Sequence, residues 1–147
     1  PDDGRVIPNF LSQALRGEDL TVYGDGTQTR SFCYVSDLVT GIRQFADADP
    51  ETAAGEVINL GSIEEIEIRT LATTIIDVLG VNSDSVHRPL PEDDPQVRRP
   101  DITRAKQVLG WEPTVSLEAG LERTVSYFAD ELDRSVDNPR KTRKETN

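Results

Sequence analysis

The stretch Val22 to Asp37, VYGDGTQTRSFCYVSD, limits the fold of this chain more than any other. A short apolar run, Leu20 to Tyr23, stops at Gly24-Asp25-Gly26. Glycine enters positive φ without steric cost, so two glycines around an aspartate dictate a tight turn. Arg30 to Val35 then sets Phe32 and Tyr34 against Cys33 and Val35, the period-two pattern of a second strand. Ser36 is a natural N-cap, and Asp37 suits the positive end of a helix on which Leu38, Ile42 and Phe45 share a face. A turn, a cation at Arg30, an exposed strand and a helix start together offer a way to hold an anionic ligand.

The other segments read as supports for this stretch. Arg5 to Gly17 predicts a helix, with Pro8 in the first turn, Ile7, Phe10, Leu11, Ala14 and Leu15 on one face, and Gly17 as its stop. Asp47 to Gly55 reads as a polar connector and Glu56 to Leu60 as a strand. Ile68 to Leu79 is amphipathic at helical spacing and ends at Gly80. Ser85 to Leu90 predicts a strand. Pro89 to Pro100, PLPEDDPQVRRP, holds four prolines and predicts a loop. Asp101 is placed to cap a short helix ending at Leu109-Gly110. Ser116 caps a last helix with Leu117, Leu121, Thr124, Val125 and Phe128 as its buried stripe. Beyond Leu132 the composition turns polar and basic, and a frayed tail is expected over 134–147.

A length of 147 residues allows one domain with a real core. No apolar run approaches the roughly 20 residues of a membrane span. The opening Pro1-Asp2-Asp3-Gly4-Arg5 has no signal-peptide pattern, so a cytoplasmic location is expected. The chain holds no methionine, which predicts a piece of a longer protein. One cysteine, Cys33, rules out an internal disulfide; one histidine, His87, leaves no imidazole metal cluster. The net charge of −11 argues against nucleic acid as a partner. Residues 1–133 carry 11 basic and 25 acidic side chains, and Lys106 is their only lysine. That balance resembles proteins of salt-loving organisms.

An acidic chain that holds a phosphate needs local cations, and arginine grips phosphate with a planar fork of donors. Arg5, Arg30 and Arg98 each lie beside a turn, a proline or a helix start. Spacing alone leaves the bland alternative open, that they pair with surface carboxylates. In Arg98-Arg99-Pro100-Asp101 a rigid loop could fix a cation and a carboxylate together; Asp101 could equally be only a helix cap. Tyr23 and Phe10 are candidates to touch a base or sugar face, against the alternative of core packing. Asn59 could face a ligand or tie a turn. No Gly-x-Gly-x-x-Gly turn is present, and no tyrosine has a lysine four residues on.

Four segments carry a resemblance: GRVIPNF (4–10), LTVYGDGTQTRSFCYVSDL (20–38), RPLPEDDPQVRRPDIT (88–103) and LGWEP (109–113). In this order they resemble the C-terminal half of extended short-chain dehydrogenase/reductases, the NAD-dependent nucleotide-sugar epimerases, dehydratases and decarboxylases. The likeness is greatest to UDP-glucuronate decarboxylases; dTDP-glucose 4,6-dehydratases and UDP-sugar 4-epimerases are the alternatives. The resemblance implies an α/β fold, the substrate-binding portion of a Rossmann-type enzyme, with short strands and about five helices over residues 1–133. It implies that Arg30, Arg98 and Asp101 meet the diphosphate or ribose of a UDP-sugar. Val22 and Tyr23 would lie along the nucleotide, Arg5 to Phe10 would wrap it, and Asn59 would assist. It also implies that NAD and the catalytic Tyr-x-x-x-Lys pair belong to an N-terminal half, so no catalytic residue is assigned in this chain. The family's dimer helices belong to that half too, and no dimer is assigned here. A non-catalytic nucleotide-binding module, or an inert truncated product, is the rival from another class.

Overall fold

The computed structural model describes residues 5–89 and 97–137, the last seven of these by backbone alone. Helix α1 (Val6–Leu15) turns Phe10, Leu11 and Ala14 inward at helical spacing. Strand β1 (Leu20–Tyr23) follows and buries Leu20 and Val22. Strand β2 (Thr29–Ser31) leads into helix α2 (Val35–Asp47). A one-turn helix α3 (Pro50–Ala53) and strand β3 (Glu65–Glu67) precede helix α4 (Ile68–Leu79). Strand β4 (Ser85–Arg88), a π-helical turn (Ala105–Leu109) and helix α5 (Leu117–Asp137) complete the order.

Two small sheets result. β1 and β4 pair in parallel, with Leu20 opposite Ser85 and Tyr23 opposite Arg88. β2 and β3 form an antiparallel ribbon, with Arg30 opposite Ile66 and Ser31 opposite Glu65. The main core lies between α1, α4, α5 and β1: Phe10, Leu11, Leu20, Val22, Leu71, Ile75 and Leu121 are 2% exposed or less. A second cluster of Ile102, Ala105 and Trp111 sits under α2, with Cys33, Ile58, Leu60 and Leu109 against it. Gly41 allows this approach, because a Cβ there would lie 2.9 Å from the Leu60 methyls and 3.0 Å from the Trp111 ring.

Asp37 joins the two halves of this arrangement. Its carboxylate, 6% exposed, accepts from the Thr114 amide (2.9 Å), the Thr114 hydroxyl (3.0 Å) and the Val115 amide (2.9 Å). The Trp111 indole donates to the Asp37 carbonyl at 2.9 Å. Burial pushes the Asp37 carboxyl up, but the donors on Val115 and Thr114, with the charge of Arg123, outweigh it and hold the group below the ordinary range. The segment after LGW is thereby fastened to the first turn of α2.

Several expectations are corrected. The strand foreseen over Arg30 to Val35 ends at Ser31, because Phe32 turns to the main core and Cys33 to the second cluster. Tyr34, not Ser36, occupies the cap position of α2, and Ser36 lies inside the helix, its carbonyl accepting from Thr40. Glu56 to Leu60 forms no strand in the structure; Ile58 and Leu60 pack on the second cluster, and Val57 is 82% exposed. The connector after Asp47 contains α3, where the Asp49 carboxylate accepts from the Glu51 amide and Pro50 opens the turn. β3 was not foreseen. α5 runs five residues past Leu132 to Asp137, and the rest of the expected tail lies outside the described residues.

Candidate functional site

The glycine turn is braced from below. The Asp25 carboxylate accepts from the Thr27 hydroxyl at 2.7 Å and the Thr27 amide at 3.0 Å, and these two bonds hold its pKa below the usual carboxylate range. Gln28, 5% exposed, donates from Nε2 to the Tyr23 carbonyl at 2.9 Å and so closes the turn from inside. The Gln28 and Gly26 carbonyls accept from the Ile68 and Arg69 amides, at 3.1 and 3.0 Å. Two orphan donors of the first turn of α4 are therefore met by the turn, with no side-chain cap from Glu67. Glu67 instead pairs with Arg69 at 2.5 Å.

From this base β2 carries Arg30, half-buried, whose guanidinium donates to the Thr29 carbonyl at 2.8 Å. Tyr23 ends β1 at the mouth of the same turn and is 46% exposed. His87 has a ring nitrogen 2.7 Å from the Gly24 carbonyl, a structural tie between β4 and the turn. The Arg98–Asp101 loop approaches through two links. The Asn59 amide donates to the Asp101 carbonyl at 3.2 Å. Arg99 lies 3.5 Å from one oxygen of Glu65, while the other accepts from the Thr29 hydroxyl at 2.7 Å. The Thr103 hydroxyl and amide, with the charge of Arg99, hold the Asp101 carboxyl below its ordinary range.

A shallow concavity of about 490 Å³ opens beside this loop, lined by Ile63, Arg99, Pro100, Asp101, Thr103 and Lys106 among others. It is open to solvent, and its lining mixes charged and apolar side chains.

The structure thus brings together Asn59, Asp101 and the loop of Arg98, and ties that loop to the strand of Arg30. Arg98 and Arg5 are exposed, Arg5 just before α1. Phe10 and Val22 are 1% and 0% exposed and lie in the main core. Three residues that shape the site were not foreseen in these roles: Glu65, Gln28 and Asp37. No pattern in the sequence marks Glu65, because its partners Thr29 and Arg99 are distant along the chain, while Gln28 acts locally, on the carbonyl of Tyr23. No group of three or more metal-ligating side chains occurs among the described residues.

This fold is that of a known class. The family model described as GDP-mannose 4,6 dehydratase matches residues 3–124, and the chain belongs to that family. It falls among the extended short-chain dehydrogenase/reductases, as the motifs imply. UDP-glucuronic acid decarboxylase 1 of Danio rerio is 47% identical over 137 residues, which are 93% of this chain and 32% of the relative. UDP-glucuronic acid decarboxylase 2 of Arabidopsis thaliana is 49% identical over 127 residues, 86% of this chain and 28% of the relative. Among solved structures, UDP-glucose 4-epimerase from Thermotoga maritima with UDP-glucose superimposes with a TM-score of 0.80 at 34% identity, covering 87% of this chain and 40% of that one. UDP-glucuronic acid 4-epimerase from Bacillus cereus, in complex with UDP-glucuronic acid and NAD, gives 0.80 at 30% identity over 87% of this chain and 40% of that one. The chain spans about a third of the length of the curated relatives it matches.

Proposed function

We propose that this chain is the nucleotide-sugar-binding portion of an NAD-dependent enzyme that decarboxylates UDP-glucuronate. One observation carries the reading: Glu65 links the Arg98–Asp101 loop to the strand of Arg30, while Asn59 holds the carbonyl of Asp101. Two guanidinium groups on neighbouring segments suit a diphosphate, and an ionised carboxylate beside them suits ribose hydroxyls. In this reading Arg30 and Arg98 bind the diphosphate and Asp101 accepts from the ribose. Tyr23 flanks the nucleotide, Arg5 closes its far side, and Asn59 steadies Asp101. Phe10 and Val22 support the site from the core. The decarboxylases at 47 and 49% identity favour UDP-glucuronate as substrate. A UDP-sugar 4-epimerase is the second reading, favoured by the structural neighbours at 30 and 34% identity.

The Gly24–Gly26 turn does not fit NAD. The Gly24–Gly26 turn runs from β1 into β2 rather than into a helix, so it offers no helix N-terminus to a pyrophosphate. NAD, and the proton transfers at the sugar, are assigned to an N-terminal portion. The surface of α2 supports that assignment: Val35, Val39 and Ile42 share one face and are 59, 49 and 59% exposed. Relatives of which this chain spans 32% or 28% have further chain to cover such a face. Ile42→Glu is expected to leave the unfolding free energy within about 0.5 kcal/mol and to reduce binding of a hydrophobic dye. A loss above about 1 kcal/mol in urea unfolding would mean the face is packed within the chain.

A cytoplasmic setting is part of the same proposal; a salt-loving one rests on the charge balance alone. The test is calorimetric titration with UDP at high salt, where self-repulsion of the acidic surface is screened. Arg30→Ala is expected to weaken binding about tenfold, the loss of one charge-assisted contact. Equal binding by the variant would remove Arg30 from the site.

A further inference from the structure

We infer that Glu65 is a positioning residue for nucleotide binding: it sets the distance between the two arginine-bearing segments without touching the ligand. The inference rests on the reading above, that Arg30 and Arg98 share a diphosphate.

Glu65 opens β3 at the point where the chain leaves the loop packed on Pro100, and Gly61 makes that packing close; a Cβ there would lie 2.7 Å from the Pro100 ring. Its two carboxylate oxygens have separate partners. One accepts from the Thr29 hydroxyl at 2.7 Å, across the ribbon. The other faces Arg99 at 3.5 Å, on the loop. Thr29 and Arg99 are the sequence neighbours of Arg30 and Arg98. One side chain therefore spans the residues next to both proposed ligands.

The ribbon register explains why this does not obstruct the site. Side chains alternate along a strand, so Thr29 and Ser31 share one face of β2 and Arg30 takes the other. Glu65 stands opposite Ser31, on the face of Thr29. The clamp grips β2 from the face opposite to that of Arg30.

A carboxylate near an anion-binding site should repel the anion, and this gives the test its sign. If Glu65 acts only through its charge, Glu65→Gln will bind UDP more tightly than the wild type. If it acts as a clamp, Glu65→Gln will bind about threefold more weakly, the scale of one exposed ion pair. Calorimetric titration with UDP reads the difference, with thermal unfolding alongside to show that the variant is folded. The reversed pair Glu65→Arg with Arg99→Glu is expected to restore at least half of the lost affinity. Affinity equal to or tighter than wild type in Glu65→Gln overturns the inference. So does a reversed pair no better than the single variant, because Glu65 would then not act through Arg99. Absence of UDP binding by the wild-type chain would overturn the preformed site itself, and the clamp with it; that failure is visible before any variant is made.

Discussion

Asp37→Ala is expected to destabilise the chain by about 3 kcal/mol, the cost of stripping a buried acceptor from several donors. The carboxylate takes three hydrogen bonds from Thr114 and Val115 at 2.9 to 3.0 Å. Without it, two backbone amides and a hydroxyl lose a partner that is itself 6% exposed. Asp37→Asn should recover little, since its amide nitrogen would point a donor at donors. Urea unfolding checks this, and a loss below about 1 kcal/mol would show that water replaces the carboxylate. The pH dependence follows from the same contacts. The folded pKa lies below its unfolded value of about 3.9. Asp37 therefore contributes stability above that unfolded value and loses it as pH falls through the lower, folded one. The gap between wild type and Asp37→Asn should be full at pH 6 and close on acidification below about pH 4.

Helix faces were legible in this sequence because they are local. The apolar spacing of α1, α4 and α5 gave their positions within a few residues, and β1 and β4 were both foreseen. What was not legible depends on partners far along the chain. Alternation over Arg30 to Val35 is real, but its side chains serve three different surfaces, so only Thr29 to Ser31 pairs as strand. Tyr34 is the clearest instance: it packs on Gly120, 3.3 Å from where a Cβ there would lie, and Arg123 stands 5.4 Å over its ring. Val57, Ile58 and Leu60 look like a strand because two of them alternate toward the second cluster.

The site divides along the same line. Motif makes Arg30, Arg98 and Asp101 candidates, and Tyr23 is exposed. Phe10 and Val22 sit within motifs too, yet those motifs mix residues that shape the scaffold with residues that face outward. An apolar side chain in such a motif is ambiguous until its burial is known. Glu65 could not be found at all, because nothing in its neighbourhood of the sequence reveals Thr29 or Arg99 as its partners.

The glycine turn is the part of the scaffold most sensitive to a single methyl group, and Gly26→Ala is expected to cost about 3 kcal/mol, combining left-handed strain with overpacking. Gly26 has φ of +75°, where an L side chain already costs about 1–2 kcal/mol. The added Cβ would also stand 2.8 Å from Val22 Cγ1, 2.9 Å from Arg69 Cβ and 3.1 Å from the Arg69 amide nitrogen. None of these can retreat cheaply. Val22 is wholly buried, and the Arg69 amide is the donor to the Gly26 carbonyl at 3.0 Å. Gly17 supplies the control, since it has φ of +70° but open space where its Cβ would go. Gly17→Ala should therefore cost only the strain, about 1 kcal/mol. The difference between the two variants in urea unfolding isolates the collision with Val22 and α4. Equal losses would mean that α4 shifts to admit the methyl group. A larger loss at Gly26, with weaker UDP binding by the folded fraction, would show that the turn sets the position of β2 and hence of Arg30.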